Sequence, residues 1–146
     1  MFEILSKYVD VGEFIFGIDQ SLRQVCNAPN NKSGIYLLYD NSIKNNSALI
    51  YIGRSGQIDK DGEMFIRKSG LGGMRDRIVN GHQFGKIPRY RSWPKQMELD
   101  KINNIYINWF VTHSNEYVDC PRQVEKYLLK QYFNKISNLP RWNRSF

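Results

Sequence analysis

The sequence predicts an α+β domain in which a small antiparallel sheet of three main strands is flanked by helices. Three observations carry this. Runs rich in apolar, β-branched and aromatic residues at 34–40, 48–55 and 104–113 have the length and composition of strands. Segments 71–81 and 121–133 place apolar residues at helical spacing. Their order, strand, strand, helix, strand, helix, suits an antiparallel sheet with helices packed on it.

Taken in order, GEFIFGI at 12–18 reads as a short strand or a hydrophobic packing segment, and SLRQV at 21–25 as a short helix capped by Ser21. The turn cluster NAPNNKSG precedes GIYLLYD, 34–40, which leads through NSIKNNS to ALIYIGRS, 48–55. Two such runs joined by a polar loop form an antiparallel hairpin, and their near-continuous hydrophobicity calls for cover on both faces. Residues 56–70 are a turn-rich excursion with a short strand at EMFIR. In LGGMRDRIVNG, Leu71, Met74 and Ile78 share a helical face that Gly81 closes. HQFGKIPRYRSWPKQ reads as a basic loop, with aromatics among its cations. NIYINWFVTH is the third strand. Pro121 suits a first helical turn with Asp119 or Cys120 as cap, in a helix reaching about Phe133, and NLPRWNRSF is an irregular closing segment.

The chain has 146 residues, enough for one domain with a core of its own. Hydrophobic residues at 41% exclude disorder. Cys26 and Cys120 lack the paired spacing of a zinc site. Glu3, Lys7 and Asp10 interrupt the apolar run a signal peptide needs, and no segment has the length of a membrane span, so a reduced, cytoplasmic protein without membrane partners is expected. The net charge of +7 is uneven. Residues 60–101 carry ten basic against five acidic side chains, and residues 122–146 carry six against Glu125 alone. Cations concentrated in two segments suit a surface that follows a phosphate backbone.

Gly34-Ile35-Tyr36 in the first strand of the hairpin and Tyr51-Ile52-Gly53 in the second resemble the signature of the GIY-YIG nuclease superfamily. The similarity extends over residues 33–143, leaving 1–32 as an N-terminal extension of a single domain, 1–146. Family members place a basic or small polar residue after the second motif, an arginine on the next helix, a glutamate on a later helix and an asparagine near the end. Arg54, Arg77, Glu125 and Asn143 match those positions, with Arg75 a competitor to Arg77. The His or Tyr that the family often has one turn after the arginine is Gly81 here, with His82 one residue beyond.

Independently of the resemblance, Glu125 shares a helical face with Leu128, Leu129 and Tyr132. A carboxylate beside an apolar stripe needs an arginine or a metal ion next to it. The resemblance implies a metal-dependent endonuclease acting on DNA, restriction-like or of mobile-element type. Tyr51 would be the base for an attacking water, Tyr36 its hydrogen-bonding neighbour, and Arg54 and Arg77 the cations that lower the tyrosine pKa and hold the phosphate. Glu125 would bind one Mg²⁺ or Mn²⁺ ion, and Asn143 would orient the terminal segment. Arg75, His82, Arg89, Arg91, Lys95 and Arg141, with Tyr90, Trp93 and Trp142 interleaved, are candidates for nucleic-acid contact. The excursion at 56–70 and the basic loop at 84–101 are the places for target recognition. The sequence leaves open RNA as substrate, a structure-specific repair role, a non-cleaving nucleic-acid-binding module on the same scaffold, and a homodimer against sequential nicking.

Overall fold

The structure is a computed structural model that describes residues 2–41, 48–58, 64–65 and 73–146. After a 3₁₀ turn at Glu3–Lys7 come β1 (Val11–Gly17), α1 (Leu22–Val25), β2 (Gly34–Asp40), β3 (Leu49–Ser55), and the short pair β4 (Gln57–Ile58) and β5 (Met64–Phe65). These are followed by α2 (Gly73–Asn80), α3 (Arg89–Asp100), β6 (Asn104–Val111) and α4 (Pro121–Ile136). The fold is α+β, as expected. The expected strand within EMFIR is present as Met64–Phe65, paired with Gln57–Ile58. Residues 59–63 and 66–70 of the excursion lie outside the described residues, as does Leu71.

The main sheet has four strands, not three, in the order β1-β6-β2-β3, all antiparallel. The fourth is the 12–18 segment. Phe14 and Phe16 are buried against the sheet's core while Val11, Glu13 and Ile15 stay exposed, the alternation of an edge strand covered on one face. The N-terminal extension is therefore built into the sheet. A second correction concerns the basic loop, which is helical from Arg89 to Asp100. Pro88, Pro94 and Gly85 suggest a loop, but Pro88 sits at the N-cap, where a missing N–H costs nothing. Pro94 lies inside the helix, at a cost of roughly 3 kcal/mol. Trp93 and Met97, both fully buried, return about 2 kcal/mol or more each and offset it.

Both faces of β2 and β3 are covered, as their hydrophobicity requires. On one face Tyr36, Leu38 and Ile50 join Met74, Ile78, Trp93 and Met97 of α2 and α3. On the other, Ile35, Leu37, Leu49 and Ile52 meet Val124, Leu128, Leu129 and Tyr132 of α4. The β2–β3 register slips where Leu38 faces Tyr51 but Tyr39 faces Leu49. The extra residue, Ile50, makes a bulge, so Ile50 and Tyr51 both pack toward the α2/α3 core. Val111 and Phe110 of β6 press on β2 at Gly34, where any side-chain carbon would fall 1.9 Å from the Phe110 carbonyl oxygen. That approach explains the first glycine of the Gly34-Ile35-Tyr36 motif.

β3 is an edge strand, and the C-terminal segment closes its open side. Trp142 N–H donates to the Ile50 carbonyl (2.7 Å). The Asn143 side-chain amide accepts from Ile52 N–H (2.9 Å) and donates to Ile52 C=O (3.0 Å), as a neighbouring strand would. No helix among the described residues is long and apolar enough to cross a membrane. Cys26 is a buried free thiol.

Candidate functional site

Beside this closed edge is an open polar hollow of about 430 Å³. Tyr51 and Arg54 of β3, Glu125 of α4 and Asn143 of the terminal segment line it, together with His82, Gln83 and the cations Arg122, Lys126 and Arg144. Tyr51 packs with the α2/α3 core, whereas α4 covers the opposite face of the sheet. They meet because β3 is the last strand, so side chains from both faces reach around one edge.

Behind Tyr51 the wall is fully buried. Tyr36 lies opposite Gly53 in the ladder, and the Tyr36 and Tyr51 ring centroids are 6.2 Å apart. A Cβ at Gly53 would sit 2.4 Å from the Tyr36 ring and 2.6 Å from that of Tyr51, so the second motif's glycine leaves room for the tyrosine pair. Arg89, fully buried, holds both hydroxyls: Nη1 donates to Tyr36 Oη (2.8 Å) and Nη2 to Tyr51 Oη (3.1 Å). Nη1 also donates to the Arg77 carbonyl (2.6 Å), and Nε to Gln83 Oε1 (3.1 Å), which accepts from Trp93 Nε1 as well (2.9 Å). Four of the guanidinium's five donors are thus engaged. The rings of Tyr36, Tyr51 and Trp93 stand 5.5–5.6 Å from its carbon. Gly81 belongs to this arrangement too. A Cβ there would lie 2.7 Å from Arg89 Nη1, so the guanidinium occupies the space that a larger residue at 81 would need.

On the α4 side, Arg54 Nη1 stands 3.3 Å from Glu125 Oε1, with 36% and 15% of the two side chains exposed. Burial raises the Glu125 carboxyl above its usual range, while Arg54, Arg77 and Arg122 pull it back. Burial, then the Tyr36 hydroxyl, drives Tyr51 up to about 12; Arg89 opposes the rise, Glu125 adds to it and Arg77 opposes it. Tyr51 at rest is therefore a phenol. Its oxygen accepts from Arg89 and leaves its own proton to donate into the hollow.

The structure separates the sequence-derived candidates. Tyr51, Arg54, Glu125 and Asn143 converge, and His82, exposed, lines the same hollow. Tyr36 is fully buried and does not line it; it acts only through Arg89 and Tyr51. Arg77 lies behind the lining, and its charge is felt by both Tyr51 and Glu125. Arg75 instead donates to the Arg23 carbonyl (2.7 Å), tying α2 to α1. Arg91 and Lys95 are exposed on α3, away from the lining, and Arg141 pairs with Asp100 (2.9 Å). Arg89, expected at a nucleic-acid surface, is corrected to a buried support of the tyrosines. Its spacing with Trp93 and Met97, i, i+4 and i+8, is the signal that it belongs to a core face. Sequence reading also missed Gln83, Arg122 and Lys126. The two cations are i, i+4 on α4 and flank Glu125, which would have found them.

Among the described residues, no three His, Cys, Asp or Glu side chains converge as a metal cage. A single partly buried carboxylate still fits an ion such as Mg²⁺, which takes one or two protein carboxylates and completes its shell with water and substrate oxygens. No protein-family model, curated protein or solved structure matches the chain.

Proposed function

We propose that the chain is a metal-dependent endonuclease of the GIY-YIG type that hydrolyses DNA phosphodiester bonds, as a restriction-like or mobile-element enzyme. The observation that supports this reading is the convergence of Tyr51, Arg54, Glu125 and Asn143, remote in sequence, on one cation-lined hollow at the β3 edge. Arg54, Arg122, Lys126 and Arg144 bind the phosphate and offset the charge that builds as the phosphorus is attacked. Tyr51 orients the attacking water and takes its proton. Arg89 holds the Tyr51 oxygen in place and, with Arg77, favours its ionised form. Glu125 would hold a divalent ion, whose chemistry there would be positive charge for the phosphate and acidity for a bound water. Asn143 keeps the strand edge and the terminal segment together.

The test is supercoiled plasmid incubated with purified protein and Mg²⁺ or Mn²⁺. Tyr51→Phe is expected to lower nicking by about 10²- to 10⁴-fold, the usual worth of general-base catalysis, without abolishing salt-sensitive DNA binding. Because Tyr51 starts near 12, the wild-type rate should climb with pH across the neutral and mildly alkaline range. Parental rates in Tyr51→Phe and Glu125→Ala overturn the mechanism. The same high Tyr51 value favours a second reading, a nucleic-acid-binding module that does not cleave. Absence of nicking with every divalent metal, alongside retained binding, would select it.

A further inference from the structure

Asp100 ends α3 and does not line the hollow, yet it holds the segment that finishes it. Trp142 Nε1 donates to Asp100 Oδ2 (2.8 Å), Gln96 Nε2 donates to the same oxygen (3.1 Å), and Arg141 Nη2 pairs with Oδ1 (2.9 Å). Burial works against the charge of this carboxyl, but donors from Gln96, Trp142 and Arg141 hold it below the usual carboxylate range. At neutral pH it is an anion, and a charged acceptor makes the stronger kind of hydrogen bond.

Trp142 is the point that this anion fixes. It is buried between Phe84 (centroids 5.1 Å) and Trp93 (6.4 Å), and its backbone N–H donates to Ile50. The next residue, Asn143, makes the two bonds to Ile52 that close β3. One residue further, the exposed Arg144 enters the hollow, its guanidinium 6.0 Å from the centroid of the Phe84 ring that Trp142 packs against. Ser145 and Phe146 line the hollow too, and Phe146 rests edge-on against Phe133. Arg144 and Ser145 have no hydrogen bond to another described residue, so their place is set by the docking of Trp142 and Asn143 just before them.

Resting on the reading of the hollow as a phosphate site, we propose that Asp100 is a positioning residue for nucleic-acid binding: through Trp142 it latches the terminal segment to α3 and β3 and so sets Arg144 at the phosphate. Charge alone predicts the opposite sign. Removing an acid from a chain of net charge +7 strengthens its attraction to a polyanion, whereas loss of the latch weakens binding by freeing Arg144.

The experiment is fluorescence anisotropy in EDTA with a labelled DNA duplex across a salt series. Asp100→Ala is expected to bind about ten-fold more weakly and to lower the slope of log affinity against log salt by about one. Asp100→Asn keeps an acceptor for Trp142 Nε1 and should bind at least as tightly as wild type. With Arg144→Ala already in place, Asp100→Ala should add no further weakening, whereas a merely structural Asp100 would weaken both backgrounds alike. Exchange of the Ile52 amide reads the latch without DNA, and should quicken about ten-fold in Asp100→Ala while the β2–β3 ladder amides keep their rates. If thermal melting shows Asp100→Ala to be unfolded, Trp142→Phe removes the same bond from the other end and carries the same expectations. Binding by Asp100→Ala that equals or exceeds wild type, or an unchanged Ile52 rate, overturns the latch. A wild type that binds no DNA overturns the phosphate reading and this role with it, whatever Ile52 does. Plasmid nicking is scored separately, so binding that obeys these expectations without nicking in any metal removes catalysis and supports the latch.

Discussion

Arg89 and Arg54 approach the same hollow from opposite faces of the sheet and are held in opposite ways. Arg89 is fully buried, with four donors engaged by hydroxyl, amide and carbonyl oxygens. Arg54 keeps 36% of its side chain exposed and makes a 3.3 Å contact with Glu125. The Arg89 side cannot rearrange without breaking the core. The Arg54 side can exchange its partner for a phosphate at little cost, since a pair this exposed contributes about 1 kcal/mol or less. On the proposed nuclease reading, a site that positions a tyrosine and also releases a product needs both kinds of wall.

The contrast predicts the sizes of four effects. Arg89→Met leaves both tyrosine hydroxyls and the Arg77 carbonyl without their donor, so urea denaturation should show a loss of about 3–5 kcal/mol. A loss under about 1 kcal/mol would mean that the buried cation does not organise the core. Gly53→Ala drives a methyl into both tyrosine rings and should cost about 1–3 kcal/mol in the same measurement. Arg54→Ala should change stability by less than about 1 kcal/mol while lowering nicking at least about ten-fold. A stability loss like that of Arg89→Met would erase the distinction.

The smallest effect concerns pH. The carboxyl of Glu125 is raised in the folded state, so the folded protein binds a proton there more readily than the unfolded chain. Its contribution favours folding below the ordinary carboxylate pKa and is lost as pH rises through the raised value. Glu125→Gln should therefore be slightly more stable than wild type at neutral pH, with the gap closing on acidification. A gap that widens toward acid would place Glu125 among favourably paired carboxylates instead.

The hairpin of β2 and β3 was legible as two short, near-continuous apolar runs joined by a polar loop, and the third strand and α4 as stretches with a period of two and of 3.6 residues. Glu125 was legible for the same reason: it interrupts an apolar helical face whose other members, Leu128, Leu129 and Tyr132, are all buried. β1 was half legible. Its Phe14 and Phe16 alternate with exposed neighbours, but a seven-residue run does not say whether it pairs with a sheet or packs beside one. α3 was hidden by prolines whose local cost is outweighed by Trp93 and Met97, partners that adjoin only after folding. Arg75 and Arg77, two residues apart on one helix, were separable only by what each one meets: the Arg23 carbonyl for the first, the Tyr51–Glu125 neighbourhood for the second.

By itself, then, the sequence determined the hairpin of β2 and β3, the strand β6 and the helices α2 and α4, where the two tyrosine motifs lie on adjacent strands, and that Glu125 needs a cationic partner. Those properties depend on residues within a few positions of one another. Tertiary structure alone decided that β3 is an edge, that Asn143 closes it, and that Arg89 turns inward to the tyrosines. Each of these depends on groups tens of residues apart, and whether a charge faces solvent or a buried acceptor is set by the whole arrangement of neighbours, which no local pattern encodes.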